Sequence, residues 1–419
     1  MVIHYHLLLM SEQKKSQLTV IFFTVFIYLV GFGVIIQITP ILGKQFGASP
    51  AQVGLLMSIY SFMQFLFSPF WGRISDKVGR RPVLLFCLLG EGASYILFAA
   101  SRSLEVLFAA RALAGFFGAS ISTASAYISD ITPPKERSKG MALIGAAFGL
   151  GFIVGPALGG GLTWWGEQMS SEPHFGTSFA LLCVAGICFA NFAFGVKFLK
   201  ESLNKTHEIK SQDLSRFQQI FHYFRKPLVG SLMWVFFINS AAFSMMEATL
   251  VLLVGDRFGW GIKEVSFGFA YIGVMSTLNQ GFIVRRLLPK LGERKMLIIG
   301  LTCLSLSLMG IAFSNQIWVL ALVMTLLSFG YSFTNPSTLG SISLLSPHNE
   351  QGAVLGTTQG LAALGRIIGP AYGGWVYQQL HPTAPFLTGS LLAIGALTIV
   401  GTVYSKLPQS AKTHAEAKT

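Results

Sequence analysis

From Leu18 to Tyr404 the chain returns repeatedly to apolar runs of about 20 residues, each long enough to cross a hydrocarbon layer roughly 30 Å thick as a helix. No other feature limits the fold so sharply, because inside lipid every backbone N–H and C=O must be paired within the protein, which only helices and closed barrels achieve. These runs are too long and too uniformly apolar for barrel strands. The reading is an all-α membrane protein with twelve spans, at 18–42, 50–70, 82–101, 104–129, 139–165, 177–199, 229–254, 263–284, 295–314, 317–343, 352–379 and 382–405. Composition excludes an ordinary soluble chain: charged residues make up 11% of the 419, against about 25% in soluble domains.

The net charge of +13 would suggest a nucleic-acid partner in a soluble protein, but the positions of the charges give it another meaning. With both termini on one side, only Lys44, Arg102, Arg257 and Lys263 fall on the opposite side, and Arg111 and Arg366 lie within spans. All other Lys and Arg share the side of the termini, which the positive-inside rule makes cytoplasmic. The basic excess is therefore a topology signal, the partner is the lipid bilayer, and no nucleic acid is expected. Cys87, Cys183, Cys188 and Cys303 sit inside spans without disulfide or zinc spacing and read as small core residues. Met1 to Leu9 lacks the pattern of a cleaved leader, Met10 opens a more ordinary polar start, and His4 and His6 read as part of an upstream extension rather than a metal site.

Residues 200–228 form the longest polar stretch between spans and divide six spans from six. The expected layout is a cytoplasmic tail at 1–17, a six-helix bundle at 18–199, a cytoplasmic linker at 200–228, a second bundle at 229–405 and a tail at 406–419. The halves echo each other. Gly151-Phe-Ile-Val-Gly155-Pro156-Ala-Leu-Gly159-Gly160 returns as Gly365-Arg-Ile-Ile-Gly369-Pro370-Ala-Tyr-Gly373-Gly374, and Asp76-Lys-Val-Gly79-Arg80-Arg81 as Pro289-Lys-Leu-Gly292-Glu293-Arg294. An internal duplication of this kind marks transporters that hold their substrate near the membrane midplane and rock one half against the other.

The run from Gly72 through Asp76, Gly79, Arg80 and Arg81 to Pro82 resembles the loop between spans 2 and 3 that characterises the major facilitator superfamily. Arg111-Ala-Leu-Ala-Gly115 resembles the arginine motif of its proton-coupled members, and Gly151 to Gly160 the glycine-proline motif of its antiporters. With Ala126 to Thr132, Glu136 and Arg137, the chain is similar to the twelve-span drug:proton antiporters, including tetracycline exporters. The resemblance implies the major facilitator fold, two pseudo-symmetric six-helix bundles in a bacterial plasma membrane with both termini cytoplasmic, and export of small amphipathic compounds driven by a proton gradient. The expected working unit is a monomer.

Each motif has a physical task. Gly72 and Gly79 permit tight turns, and Asp76, Arg80 and Arg81 can form charge-assisted bonds that exist in one state and break in the other, with Asp130 as the acid that meets Arg80 or Arg73. Gly151, Gly155 and Gly159 recur every fourth residue, giving a smooth stripe for a close neighbour, and Pro156 removes one backbone bond; Gly160 ends the motif.

Four charges are embedded in spans, each costing about 2.5–3.5 kcal/mol at a helix centre. Glu91 lies roughly 14 Å and Arg366 roughly 21 Å along their helices at about 1.5 Å per residue; Glu247 is also deep, and Arg111 sits nearer the outer third of span 4. Burial favours the neutral form of a carboxyl, so acids held away from water can load and release protons in the physiological range. The rival reading makes Glu91–Arg111 and Glu247–Arg366 static pairs that only lower the insertion cost. Tyr28, Gln37, Asn239, Met245, Met246, Phe333 and Asn335 are candidates to line a cavity, since Met and aromatic side chains adapt to varied apolar ligands and amides orient them.

Some residues depart from the antiporter pattern. Tyr28 stands in span 1 where many relatives carry an acid, Gln37 replaces a proline, and Ser94 and Leu304 occupy positions where tetracycline antiporters carry aspartates, so tetracycline is not the expected substrate. Glu91 can stand in for the acid near Ser94, and Arg366 suits an anionic or zwitterionic compound. Within transport the alternatives are a metabolite or sugar exporter and an uncoupled facilitator; a transporter-derived sensor is a third. No nucleotide-binding loop, Ser/His/Asp set or metal-ligand cluster stands out, so neither an enzyme nor a cofactor or metal is expected.

Overall fold

The computed structural model describes residues 2–118, 120–132, 137–172, 174–203, 223, 225–347 and 350–407. The core of the linker, Glu136 and the tail from 408 lie outside them, as do the side chains of His4 and His6. Span 1 is the membrane part, Ser16–Gln45, of one helix that starts at Val2, so the backbone of the expected tail continues the span. Span 2 is Pro50–Val78, span 3 Arg80–Ala99, span 4 the helices Leu104–Gly118 and Ser120–Ile131, span 5 lies in Arg137–Met169 and span 6 is Phe175–Phe198. Span 7 is Pro227–Phe258; span 8 is Ile262–Leu278 and continues through a π-turn, Asn279–Val284. Span 9 is the later part of Arg285–Phe313, span 10 Ile317–Leu345, span 11 Gln351–Gln379 and span 12 Ala384–Val403.

Among the described residues ten helices are long and apolar enough to cross a membrane. Two features separate that number from twelve spans. Spans 8 and 9 follow each other with no intervening loop and count as one stretch, Ile262–Phe313, although the backbone is non-helical at Gly292 (φ 74°, ψ 165°), where the chain turns from one helix into the next. Span 11, which carries Arg366, falls outside the apolar set. Gly79 plays the same part between spans 2 and 3, with φ 119°. A side chain there would be strained and would also run into the carboxylate of Glu201.

The chain folds into two compact units. The first holds Met1–Gly47, Phe62–Lys210 and Gly261–Ala270; the second holds Ala48–Ser61, Ser211–Trp260 and Tyr271–Thr419. The division is therefore not a single cut at the linker. The start of span 2 goes with the second unit because Gly54 packs directly on Pro370 and Gly374 of span 11, and Ser58 Oγ donates to Ile367 O at 2.6 Å. The start of span 8 goes with the first because Gly160 of span 5 meets Ser266.

Inside the first unit the glycine stripe of span 5 lies on span 1. A Cβ at Gly151 would come 2.8 Å from Leu29 Cβ, and one at Gly155 2.7 Å from Val30 O. Span 11 repeats this on span 7 in the second unit, where a Cβ at Gly365 would come 2.9 Å from Phe237 O and Ala241 N and one at Gly369 would run into Ala241 O. The duplication seen in sequence is thus a duplication of helix contacts. The core of the first unit gathers Leu29, Leu84, Tyr127 and Ala147; that of the second gathers Leu232, Leu297, Ile342 and Val400. Large apolar side chains such as Trp318, Leu322 and Leu391 point outward, as lipid-facing residues do.

Candidate functional site

The second unit assembles a polar group from four helices. Glu247 of span 7 and Arg366 of span 11 are half-buried, and Arg366 lies within electrostatic reach of the Glu247 carboxylate and of the hydroxyls of Tyr331 and Tyr60. Tyr331 of span 10 stacks on Phe243 with ring centroids 4.2 Å apart, which fixes its hydroxyl end beside Arg366. Tyr60 arrives on the part of span 2 that packs on span 11. Asn239 and Asn335 each carry a buried Oδ1 without a hydrogen-bond partner. An acid, a guanidinium and two phenols grouped in this way can orient a charged amphipathic molecule.

The first unit treats its embedded charges differently. Glu91 is 1% exposed; its Oε1 accepts a 2.9 Å hydrogen bond from Tyr95 OH, and Oε2 has no partner among the described residues. Its surroundings belong to spans 3 and 6: Cys87 and Cys188 lie within electrostatic reach, and neighbouring Gly92 backs onto Phe189. Arg111 is buried in span 4.

At the side where the loop between spans 2 and 3 lies, Arg80 is the hub. Its Nη1 lies 2.5 Å from Asp76 Oδ1 and donates to Ser75 Oγ at 2.6 Å, while Nε lies 3.2 Å from Asp130 Oδ2. Of the two arginines considered for Asp130, the structure selects Arg80; Arg73 turns back to Pro69 O. Arg81 donates to Val196 O at 2.7 Å. Gly72 leaves open space where a Cβ would stand.

Glu201, just past span 6, escaped sequence reasoning. Its Oε1 accepts from Arg80 N at 2.9 Å and Oε2 from Arg81 N at 3.1 Å, capping the start of span 3, and Ser202 Oγ donates to Asp130 at 3.1 Å. Backbone donors at a helix start favour such an acid. The available signal was an acid immediately after an apolar run. Tyr60 and Tyr331 gave none, being two aromatics among many.

Several cavity candidates make close contacts with neighbouring helices. Gln37 is fully buried and donates to Pro156 O at 2.9 Å, tying span 1 to span 5 beside Gly159. Met245 fills the contact among Gly373, Gly389 and Thr388, and Met246 is buried in span 7. Phe333 packs with Val284 and Met296. Tyr28 donates to Gly118 O at 3.2 Å and lines a small apolar cleft with Thr24, Leu84 and Ala124. The physical reason is common to all: a long apolar or amide side chain satisfies a neighbouring helix as readily as a ligand.

Comparison with known proteins adds the wider context. The family model described as Major Facilitator Superfamily matches residues 21–291 and 280–419. The chain is 32% identical over 363 residues to the class E tetracycline resistance protein of Escherichia coli, covering 86% of this chain and 87% of that one. It is 29% identical to multidrug resistance protein 2 of Bacillus subtilis strain 168, covering 93% and 96%. Among solved structures, that of the human organic anion transporter MFSD10 (TETRAN) superposes with a TM-score of 0.70 at 27% identity, covering 92% of this chain and 99% of that one.

Proposed function

The chain belongs to the Major Facilitator Superfamily, a family of multi-pass membrane transporters, and on that premise we propose that it exports small amphipathic compounds in exchange for protons by alternating access. The observation that carries the reading is the arrangement of Glu247, Arg366, Tyr331 and Tyr60 within one unit. Arg366 attracts the negative group of an anionic or zwitterionic compound, Tyr331 and Phe243 offer an aromatic wall, and Glu247 is the proton carrier. A proton and the cationic group of a zwitterionic or cationic compound compete for the one Glu247 carboxylate, so protonation of Glu247 expels the compound and release of the proton readmits it, the alternation that an exchange needs. One proton crossing 100 mV supplies about 2.3 kcal/mol, enough to bias such an exchange.

Names of relatives support export of drug-like compounds. The basic side, holding the loop at Asp76 to Arg81, faces the cytoplasm on the positive-inside rule. Glu91, enclosed by spans 3 and 6 and held by Tyr95, is a second acid that could carry a proton in the other unit.

The test uses purified protein in liposomes with a pH-sensitive dye inside and an imposed pH gradient, challenged with ethidium, tetracycline and fluorescein as cationic, zwitterionic and anionic probes. Dissipation of the gradient by a probe, absent in Glu247→Gln, is the expected result. Probe movement without proton flux would make the protein an uncoupled facilitator.

A further inference from the structure

The duplicated loops differ at one position with a large consequence. Gly79 and Gly292 both take positive φ and start the next helix, but Arg80 follows the first and Glu293 the second. Arg80 finds two acids. Glu293, 9% exposed, has no counter-charge bonded to it among the described residues: its Oε2 is buried without a hydrogen-bond partner, and its Oε1 would stand 3.8 Å from a Cβ placed on Gly340 of span 10. The nearby charges do not answer it. Arg294 lies on the Tyr404 ring at 3.3 Å, and Arg285, Arg286, Lys290 and Lys295 are exposed. Span 10 presents hydroxyls and an amide to this region, and the π-turn of span 8 an amide.

Those groups are themselves orphans. Thr334, Ser337 and Ser341 are fully buried, and none of their hydroxyls has a hydrogen-bond partner. Spacings of three and four place them on one face of span 10, over a length of about 10 Å. Asn335 Oδ1 and Asn279 Nδ2 are orphaned as well, the latter in the π-turn, which packs against span 10. Pro336 adds to this by leaving a carbonyl of span 10 without its usual donor. Elsewhere on the same helix Ser328, Ser332 and Thr338 are bonded, so among the described residues the unpaired hydroxyls of span 10 lie in one row, with Asn335 beside it. Buried polar groups of this density are tolerated where water reaches them, and π-turns inside helices mark functional places.

We propose that Glu293 and the row Ser341, Ser337 and Thr334 form a hydrated proton path, entered from the basic side and rising along span 10 toward Asn335, Tyr331 and Glu247. It rests on the proton-coupled reading above and gives Glu247 its connection to water on that side. The row supplies hydroxyls that both donate and accept, as a relay requires, and Glu293 is the group that exchanges protons with bulk water at its mouth.

Two measurements test it. Ser337→Cys in the full chain is treated in membrane vesicles with a small charged methanethiosulfonate reagent, the labelled residue being located by mass spectrometry. The reference is Ser305→Cys, at a position where Ser305 and Ser390 satisfy each other. A charged reagent attacks a thiolate only where water is present, so labelling at position 337 should be at least about tenfold faster than at 305. Equal, slow labelling overturns the path whether or not the protein moves protons.

Secondly, Glu293→Gln in the liposome assay should lower probe-driven proton flux by about tenfold or more while probe exchange without a pH gradient is kept, and Glu293→Asp should recover part of the flux. Wild-type flux in Glu293→Gln overturns this proposal alone. Loss of exchange and flux together makes Glu293 structural and overturns it as well. If the wild type moves no protons with any of the three probes, the coupled reading falls and takes the relay with it, even where position 337 is labelled.

Discussion

Asp130 reaches Arg80 across the end of span 4, Oδ2 to Nε at 3.2 Å, and the same oxygen accepts from Ser202 at the start of the linker. One nearly buried guanidinium therefore joins spans 2, 3 and 4, while Glu201 clamps the backbone on which it stands. The two acids on Arg80 are not equivalent, because the Asp76 side chain is 46% exposed and the Asp130 side chain 24%.

Exposure decides what Asp76→Asn does. A solvent-screened pair contributes about 0–1 kcal/mol, so the variant should insert normally and unfold in detergent within a few degrees of wild type. Its effect belongs to transport: if the bridge is made in one conformational state and broken in another, probe export falls severalfold. Normal transport by well-inserted Asp76→Asn would end the latch reading.

Glu201→Gln separates capping from mere proximity. Gln keeps one acceptor oxygen for the N–H groups of Arg80 and Arg81 but loses the charge, so about 1 kcal/mol of stability should go, and Glu201→Ala should cost more, up to about 2 kcal/mol, as loss of a helix cap does. Thermal unfolding of the two variants is the check. Equal behaviour of Gln, Ala and wild type would show that the linker start bears no load on span 3.

The glycine stripes allow a sharper test. Ala in a helix interior is ordinarily worth up to about 1 kcal/mol over Gly. At Gly155 that gain is set against backbone atoms of Val30 and Gly33 at 2.7 and 2.8 Å from the new methyl, which cannot yield without parting spans 1 and 5. Overpacking of this sort costs about 1–3 kcal/mol, so Gly155→Ala should be destabilising on balance. Gly161, two turns along and facing open space, is the control: Gly161→Ala should be neutral or slightly stabilising. Similar melting shifts for both would refute the close-packing account.

What could be read from the sequence, and what could not, follows from how each feature is encoded. Local spacing revealed the spans, the duplication, the loop at Asp76 to Arg81 and the stripe at Gly151 to Gly159, because each lies in a single short window. Contacts between distant windows did not show. Glu201 meets Arg80 across 121 positions, and Tyr60 meets Arg366 only because the start of span 2 packs on span 11. The exchange of Ala48–Ser61 and Gly261–Ala270 between units was invisible for the same reason: whether Gly54 fits against Pro370 depends on two helices whose relative placement no periodicity records. The helix contacts of Gln37 and Met245 were equally hidden, since a polar or adaptable side chain within a span looks the same whether it meets a ligand or a helix.

The geometry around Arg366 makes the last prediction the most discriminating. If Arg366 binds the negative group of a substrate, Arg366→Ala should weaken an anionic probe such as fluorescein much more than cationic ethidium. A charge-assisted bond is worth about 1.5–3 kcal/mol, or roughly ten- to a hundredfold in affinity at about 1.4 kcal/mol per tenfold. Arg366→Lys keeps the charge but loses the fork that can reach a carboxylate and a phenol together, so it should recover only part of the affinity. Tyr331→Phe supplies the internal comparison: it keeps the ring that stacks on Phe243 but removes the hydroxyl beside Arg366. A modest loss for every probe in Tyr331→Phe, together with a charge-selective loss in Arg366→Ala, would place the compound's anionic end at the guanidinium and its apolar body against the aromatic pair. Equal weakening of cationic and anionic probes in Arg366→Ala, with a lowered melting temperature, would instead make Arg366 a structural counter-charge for Glu247.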